Sequence, residues 1–202
     1  MRAAIVLFAI GLLSTLLSSH SAVAQDSEWT DLFAQDLKDW SRFGDGKSPW
    51  HLTTEKILAC EPASELYIPE REFKDGTFKF EYRFRVNDQK SEYKAAIWVR
   101  RTLQETGCKI ALGDQCGTLS ATIQGGSDRQ KSVELKPAVS SARAPGLWNL
   151  ARIRLDRRTV TMWINGREVA SFNQCDTNQG LIALEVEGSA IEFRRMMWKE
   201  SK

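Results

Sequence analysis

Apolar and polar residues alternate with a period of two along much of the chain, and no stretch carries a sustained helical stripe. In residues 77–86 the even positions from 78 to 84 are aromatic, whereas the odd positions from 79 to 85 are charged. In residues 95–101, Ile97 and Val99 share one side, and Trp98 and Arg100 share the other. Because successive side chains of a strand point to opposite faces, both segments predict strands with one buried face.

Turn residues separate many such segments, and the total is ten or more short strands. Asn165-Gly166 suits a type I′ hairpin turn between predicted strands at 159–164 and 167–172. The only helical prediction is one short turn near 32–37, and loops are expected at 125–132, 139–145 and 173–179. This pattern predicts an all-β fold, a two-sheet antiparallel sandwich. The remaining strands are predicted at 50–52, 57–60, 109–112, 118–124, 151–156, 181–187 and 191–198.

The N-terminal segment has the features of a secretory signal peptide. Arg2 precedes an apolar run that reaches Leu13, and a stretch of small residues ends at Ala24 in an A-x-A cleavage site. The apolar run is shorter than the ~20 residues that a membrane-spanning helix needs. We therefore expect residues 1–24 to be removed and residues 25–202 to form one secreted or periplasmic domain, with no membrane span.

Composition and charge exclude several classes of function. The formal net charge is +2, with 27% charged and 42% hydrophobic residues, and removal of Arg2 lowers that charge by one. Such a balance fits neither a disordered chain nor a nucleic-acid-binding protein. His51 is the one histidine of the predicted mature chain, which argues against a Ser-His-Asp triad or a histidine-based metal centre.

All four cysteines lie in the predicted exported part, where an even number favours disulfide bonds. Three connectivities are possible. Cys108 and Cys116 would close a short loop, so that pair is favoured, with Cys60 joined to Cys175. Their spacing is not that of a zinc site.

Six short phrases stand in a characteristic order along the chain. They are 29–33 (WTDLF), 37–40 (LKDW), 146–149 (GLWN), 163–166 (WING), 180–188 (GLIALEVEG) and 191–194 (IEFR). Each phrase alone is a weak signal, but together they cover nearly all of the predicted mature chain. In this order they resemble the 3-keto-disaccharide hydrolase domain family.

This resemblance implies a concanavalin-like jelly roll and the cleavage of glycosides that a partner sugar oxidoreductase has converted to the 3-keto form. A ketone at carbon 3 acidifies the hydrogen on carbon 2, so its removal permits β-elimination of the group on carbon 1, and water then adds. Such a site needs a base, a donor for the leaving oxygen and a group that stabilises the enolate-like oxygen.

Parity places two carboxylates on one outward sheet face. The apolar positions 182, 184 and 186 predict a buried side, so Glu185 and Glu187 point outward together, about 6–7 Å apart. Glu187 also matches the family's "SEG" phrase. Both are candidate acids or bases, although solvated strand residues would show the same pattern.

The other candidates are an arginine, two tryptophans, a glutamine and an aspartate. Arg100 matches the arginine of the family's "SGIFLR" strand and is expected to stabilise negative charge, with Trp98 on the same face as a stacking platform for sugar. Trp163 and Gln124 are further substrate-binding candidates. Asp114 is a fourth catalytic candidate, since it keeps the residue type of the family's "YEVQILD" segment.

Two positions depart from that segment, because Lys109 and Ala111 replace its outward Glu and Gln. Lys109 is expected to bind substrate or to pair with Glu185 or Glu187. The departures keep open a non-catalytic carbohydrate-binding module and an adhesion or scaffold role. The cofactor stays unknown: calcium is possible at loops such as Asp45-Gly46 or 176–178, but no motif specifies a metal.

Overall fold

A computed structural model describes the chain at residues 29–42, 50–62, 64–68, 70–86, 92–102, 106–124, 130–138 and 140–202. The predicted signal peptide, the Asp45-Gly46 loop and most of the predicted 125–132 loop lie outside these residues. No helix in the described part of the chain is long and apolar enough to cross a membrane.

The described residues form fifteen strands and no helix. The strands are β1 (Thr30–Asp31), β2 (Ser41–Arg42), β3 (Trp50–Leu52), β4 (Ile57–Cys60), β5 (Ser64–Tyr67), β6 (Gly76–Phe84), β7 (Ala95–Arg101), β8 (Gly107–Ala111), β9 (Leu119–Gln124), β10 (Gln130–Leu135), β11 (Asn149–Asp156), β12 (Thr159–Ile164), β13 (Arg167–Phe172), β14 (Leu181–Val186) and β15 (Ile191–Glu200).

These strands pair in two antiparallel sheets. The eight-stranded sheet has the order β13-β12-β11-β6-β15-β4-β3, with β1 paired to β15. The seven-stranded sheet has the order β10-β9-β8-β7-β14-β5-β2. The predicted all-β, two-sheet antiparallel sandwich is therefore confirmed.

The apolar side of each alternating strand supplies the core between the sheets. In β6, Phe78, Phe80 and Tyr82 are fully buried, and in β15 Phe193 packs 6.2 Å from Phe80 between ring centroids. Burial of each such ring removes roughly 150–250 Å² of surface from water. This burial of apolar surface is the main source of stabilisation for a sandwich of this kind. The period-two pattern thus placed these residues correctly.

Two local predictions had different outcomes. The β12–β13 hairpin forms as expected, with positive φ at Asn165 (51°) and Gly166 (83°). The helical turn predicted near 32–37 is instead a run of turns over 32–39, closed where the Trp40 indole donates to the Leu32 carbonyl at 2.9 Å. The structure also adds the short strands β1, β2, β5 and β10, whose sequences were too short or too polar to predict.

The hairpin turn gives a simple stability prediction. Gly166→Ala is expected to lower the free energy of unfolding by about 1 kcal/mol, because alanine strains at positive φ. No atom lies within 4 Å of the added Cβ, so the cost is conformational and not steric. Urea unfolding followed by fluorescence measures it. Gly166→Asn is the control and should lose less, since asparagine tolerates this conformation; equal losses would contradict the explanation.

Candidate functional site

Four neighbouring strands of the seven-stranded sheet carry polar and aromatic side chains on its outer face. Trp98 of β7 lies opposite Lys109 of β8, and on its other side opposite Ala183 of β14. Glu185 of β14 lies opposite Glu65 of β5. Positions 182, 184 and 186 of β14 pack in the core. Because successive side chains of a strand point to opposite faces, Glu185 and the side chains beside it lie on the face that points away from the core. We call this surface the Trp98 face; it comprises Glu65, Trp98, Arg101, Lys109, Glu185 and Glu187.

Lys109 joins the two candidate carboxylates of the Trp98 face. Its Nζ lies 2.8 Å from Glu185 Oε1 and 2.8 Å from Glu187 Oε1. The other oxygen of Glu185 accepts a hydrogen bond from the Trp98 indole at 2.5 Å. The expected pairing of Lys109 with the glutamates is therefore present, and Glu185 is held from two sides.

The two glutamates differ in exposure. The Glu185 side chain is 20% exposed and that of Glu187 is 52% exposed. Hydrogen bonding with Glu185, and then with Lys109, lowers the pKa of Glu187 below its ordinary value. Burial disfavours the Lys109 ammonium, but the hydrogen bonds and charges of the two glutamates outweigh it and raise the pKa of Lys109. At neutral pH the face therefore presents an accessible carboxylate beside a retained cation.

This electrostatic coupling can be tested directly. Lys109→Met is expected to raise the pKa of Glu187, because it removes a hydrogen bond and a positive charge that favour the carboxylate. Glu187 would then take up its proton at a higher pH than in the wild type, which a ¹³C NMR carboxyl titration measures. Lys131→Met, on the exposed part of β10, is the control and should leave the titration unchanged. An unchanged pKa in the Lys109 variant would contradict the coupling.

The structure corrects the placement of Arg100. β7 contains a bulge at Arg100, whose φ is 55°. This bulge turns the Arg100 side chain away from the Trp98 face. The Arg100 side chain is fully buried and donates to the Phe73 carbonyl at 3.2 Å, to Asp75 Oδ1 at 2.8 Å and to the Arg157 carbonyl at 2.9 Å. Arg100 thus connects three chain segments inside one end of the sandwich. The prediction that it lies beside Trp98 is wrong.

Arg101 takes the outward position instead. Its guanidinium carbon lies 5.0 Å from the centroid of the Trp98 ring, and it forms an ion pair with Glu65. Sequence reasoning missed both Arg101 and Glu65. The arginine doublet was the available signal, because a one-residue bulge exchanges the faces of two adjacent side chains.

A cavity of about 240 Å³ opens at one end of the Trp98 face. Lys109, Glu187 and the small side chain of Ala111 line it, and so does the predicted Asp114. Asp114 lies in the turn after β8 and accepts a hydrogen bond from the Tyr93 amide at 3.0 Å. This volume is below the roughly 300–1,000 Å³ typical of pockets for drug-sized ligands, so it suits a single sugar ring.

The last two binding candidates do not join this group in the structure. Trp163 lies on β12 of the eight-stranded sheet, where the Arg152 guanidinium carbon is 4.2 Å from its ring centroid. Trp98 and Trp163 therefore belong to different sheets and do not form one stacking surface. Gln124 ends β9, and its side chain is outside what the structure describes.

The favoured cysteine pairs are also corrected. All four cysteines are buried, and no two of their sulfur atoms are at the distance of a disulfide bond. Cys116 Sγ lies 3.2 Å from the Tyr82 hydroxyl, whereas Cys108 Sγ lies 3.1 Å from Cys175 Sγ. Cys60 Sγ lies against the Glu61 carbonyl at 2.9 Å. Closeness in sequence did not predict which cysteines lie together, because packing in the core brings β8 close to the segment that follows β13.

Among the described residues, no group of three or more His, Cys, Asp or Glu side chains is arranged to hold a metal ion. The calcium candidate at 176–178 lies within that part of the chain, whereas Asp45-Gly46 does not. The Trp98 face thus consists of charged and aromatic side chains that hold one another, beside a small open cavity.

Similar sandwiches occur among solved structures of proteins that act on or bind carbohydrate. A "putative glycosyl hydrolase" from Parabacteroides distasonis has a TM-score of 0.64 at 16% identity, with 86% of this chain and 94% of that chain covered. A carbohydrate-binding module from Bacillus subtilis has a TM-score of 0.59 at 12% identity, covering 80% and 96%. The β-glucanase of Bacillus licheniformis has a TM-score of 0.55 at 8% identity, covering 89% and 100%. At these identities the likeness shows the fold: a concanavalin-like jelly roll.

Family membership follows from the sequence as a whole. Residues 28–199 match the family described as the 3-keto-alpha-glucoside-1,2-lyase-like domain. The chain belongs to this family, which confirms the resemblance seen in its motifs. No curated protein sequence matches the chain.

Proposed function

We propose that this protein cleaves glycosides of 3-keto sugars by elimination followed by hydration, with the reaction at the Trp98 face. The observation that carries the proposal is the pairing of an exposed, readily ionised Glu187 with the Lys109 ammonium beside a cavity of single-ring size. Membership of the 3-keto-alpha-glucoside-1,2-lyase-like family supports the substrate class.

The reaction assigns complementary roles to these two side chains. Glu187 removes the proton from carbon 2, and the electron pair moves toward the carbon 3 carbonyl, whose oxygen becomes negative. Lys109, with its raised pKa, keeps its charge and stabilises that oxygen. The bond between carbon 1 and the leaving oxygen then breaks, and Glu187, now protonated, returns a proton to that oxygen.

Hydration completes the net hydrolysis. Water adds to carbon 1 of the unsaturated product and a proton from solvent adds to carbon 2, which restores the 3-keto sugar. Trp98 provides a ring against which the apolar face of a sugar can stack, and Glu185 orients Lys109. Arg101 is buried and paired with Glu65, and its guanidinium lies against the Trp98 ring, so it supports the stacking platform from beneath rather than contacting substrate.

Export and a reaction partner form part of the proposal. The N-terminal segment of residues 1–24 supports a secreted or periplasmic location, since it has the order of a signal peptide. The substrate must first be oxidised at carbon 3, so a sugar oxidoreductase of that specificity has to act upstream.

Turnover of a 3-keto glucoside in D₂O tests the reaction type. Elimination and hydration place deuterium on carbon 2 of the released 3-keto sugar, whereas direct displacement at carbon 1 retains the original hydrogen. NMR of the product distinguishes the two, with free 3-keto glucose in the same buffer as the control for spontaneous exchange. Absence of turnover, or retention of the hydrogen, would contradict the proposal.

A non-catalytic carbohydrate-binding role is the second candidate. It is favoured by the ion pairs that already occupy Glu185 and Glu187 with Lys109, because such a network can hold sugar hydroxyls without proton transfer. Binding of an unmodified oligosaccharide, weakened by Trp98→Ala and unaccompanied by turnover of any 3-keto glycoside, would establish this role instead.

A further inference from the structure

Two buried cysteines meet at the end of the sandwich that lies beneath the β7 bulge. Cys108 is on β8 and Cys175 follows β13, so the pair connects the two sheets. Their sulfur atoms are 3.1 Å apart, and the residues are 1% and 2% exposed. Of the sulfur–sulfur approaches in the described part of the chain, this is the one within hydrogen-bond distance.

The other two thiols have different neighbours. Cys116 lies against the Tyr82 hydroxyl and Cys60 against the carbonyl of the next residue. Both predicted pairs, Cys108–Cys116 and Cys60–Cys175, would therefore require a cysteine to leave its present contact. Cys108 and Cys175 need only approach by about 1 Å to reach the ~2.05 Å of a disulfide bond.

The surroundings of the pair favour a reactive sulfur. The hydrogen bond with Cys108 lowers the pKa of Cys175, burial acts against it, and the positive charges of Arg100 and Arg158 lower it further. The Arg158 guanidinium also donates to the Cys175 carbonyl at 2.5 Å. Since the thiolate is the attacking species in thiol–disulfide exchange, Cys175 is the sulfur better suited to begin that reaction.

We propose that Cys108 and Cys175 form a disulfide bond that joins the two sheets when the protein matures under oxidising conditions. The oxidant is a small disulfide or a thiol–disulfide oxidoreductase. The Cys175 thiolate attacks one of its sulfurs and expels a thiolate, which forms a mixed disulfide. The Cys108 thiolate then attacks the Cys175 sulfur and expels the second, so the protein loses two electrons and two protons to the oxidant.

The disulfide bond would stabilise the end of the sandwich in which the Arg100 side chain is buried. Cys108 and Cys175 are 67 positions apart in sequence, so the cross-link closes a long loop in the unfolded chain. Because both sulfurs are buried in the folded state, the exchange takes place during local opening of this end of the sandwich. A closed pair would hold β8, and through it the bulged strand β7, against the segment after β13.

Peptide mapping without reduction tests the pairing, because trypsin separates the four cysteines. Cleavage after Arg and Lys places them in residues 57–71, 102–109, 110–129 and 168–194. After the wild-type protein has matured with glutathione disulfide and remaining thiols are alkylated, we expect 102–109 to be linked to 168–194. Linkage of 102–109 to 110–129, linkage of 57–71 to 168–194, or alkylation of all four cysteines would overturn the proposal.

Thermal unfolding with and without dithiothreitol provides a second measurement. Reduction is expected to lower the Tm of the wild type by on the order of 10 °C. The double variant Cys108→Ser/Cys175→Ser should show no such shift, whereas the matched variant Cys60→Ser/Cys116→Ser should keep it. A reductant effect that persists in the first variant would overturn the proposal. If that variant does not fold, the wild-type peptide map decides.

Discussion

Replacement of Glu187 by glutamine is expected to lower kcat/KM on a 3-keto glucoside by about 10²–10⁴-fold, the usual contribution of a general base. Glutamine keeps the size and the hydrogen-bonding capacity of the side chain but cannot accept the proton from carbon 2. Glu187 is half exposed and the change introduces no cavity, so the fold should be retained. Steady-state kinetics on a chromogenic 3-keto glucoside would measure the loss.

Glu168→Gln is the matched control for this substitution. Glu168 is an exposed glutamate on β13 of the other sheet, so its loss should leave kcat/KM unchanged. The Glu187 variant should lose kcat while KM changes little, because the carboxylate acts on the reacting hydrogen. Full activity in the Glu187 variant would remove this residue as the base.

Arg100→Met should lower the free energy of unfolding by about 3 kcal/mol, the largest stability effect that we expect from a single substitution here. The change removes one donor from Asp75 and from the carbonyls of Phe73 and Arg157. Asp75 still accepts from the Arg157 amide, and the Phe73 carbonyl still accepts from the Gly180 amide. Breaking a fully buried ion pair costs roughly 3–5 kcal/mol. Asp75 is 39% exposed and can be hydrated again, so the lower end of that range applies.

Chemical denaturation of the variant and of Arg167→Met would separate this role from a general effect of losing an arginine. Arg167 is exposed at the start of β13, and its substitution should change stability by less than about 0.5 kcal/mol. An Arg100 variant as stable as the Arg167 control, but inactive, would restore Arg100 to the functional surface and contradict the placement by the bulge.

The tryptophans illustrate how far sequence position is informative. Trp40, Trp50 and Trp198 are buried at 7%, 5% and 2% exposure, whereas Trp29 near the chain start is 39% exposed. Trp148 contacts two guanidiniums, with Arg83 and Arg194 at 4.5 and 4.0 Å from its ring centroid. The alternation of faces along a strand predicts which side chains point outward, but it does not predict which neighbouring side chains cover them.

Alternation by itself determined the all-β class, most strand positions and the outward direction of Trp98 and Glu185. These depend on a local property, because successive side chains of a strand must point to opposite faces. The Asn165-Gly166 hairpin was predictable for a similar reason, since few residues adopt the φ values that its turn requires. The motif order was sufficient to indicate the family.

Only the tertiary structure decided which side chains meet. The bulge in β7 exchanged Arg100 for Arg101, and pairing between sequence-distant strands brought Glu65 to the same face. The assignment of β12 to the other sheet separated Trp163 from Trp98, and packing across the core brought Cys108 to within 3.1 Å of Cys175 rather than beside Cys116. The physical reason is common to all four: a strand's sequence specifies its two faces, whereas its register, its sheet and its neighbours depend on contacts with residues far along the chain.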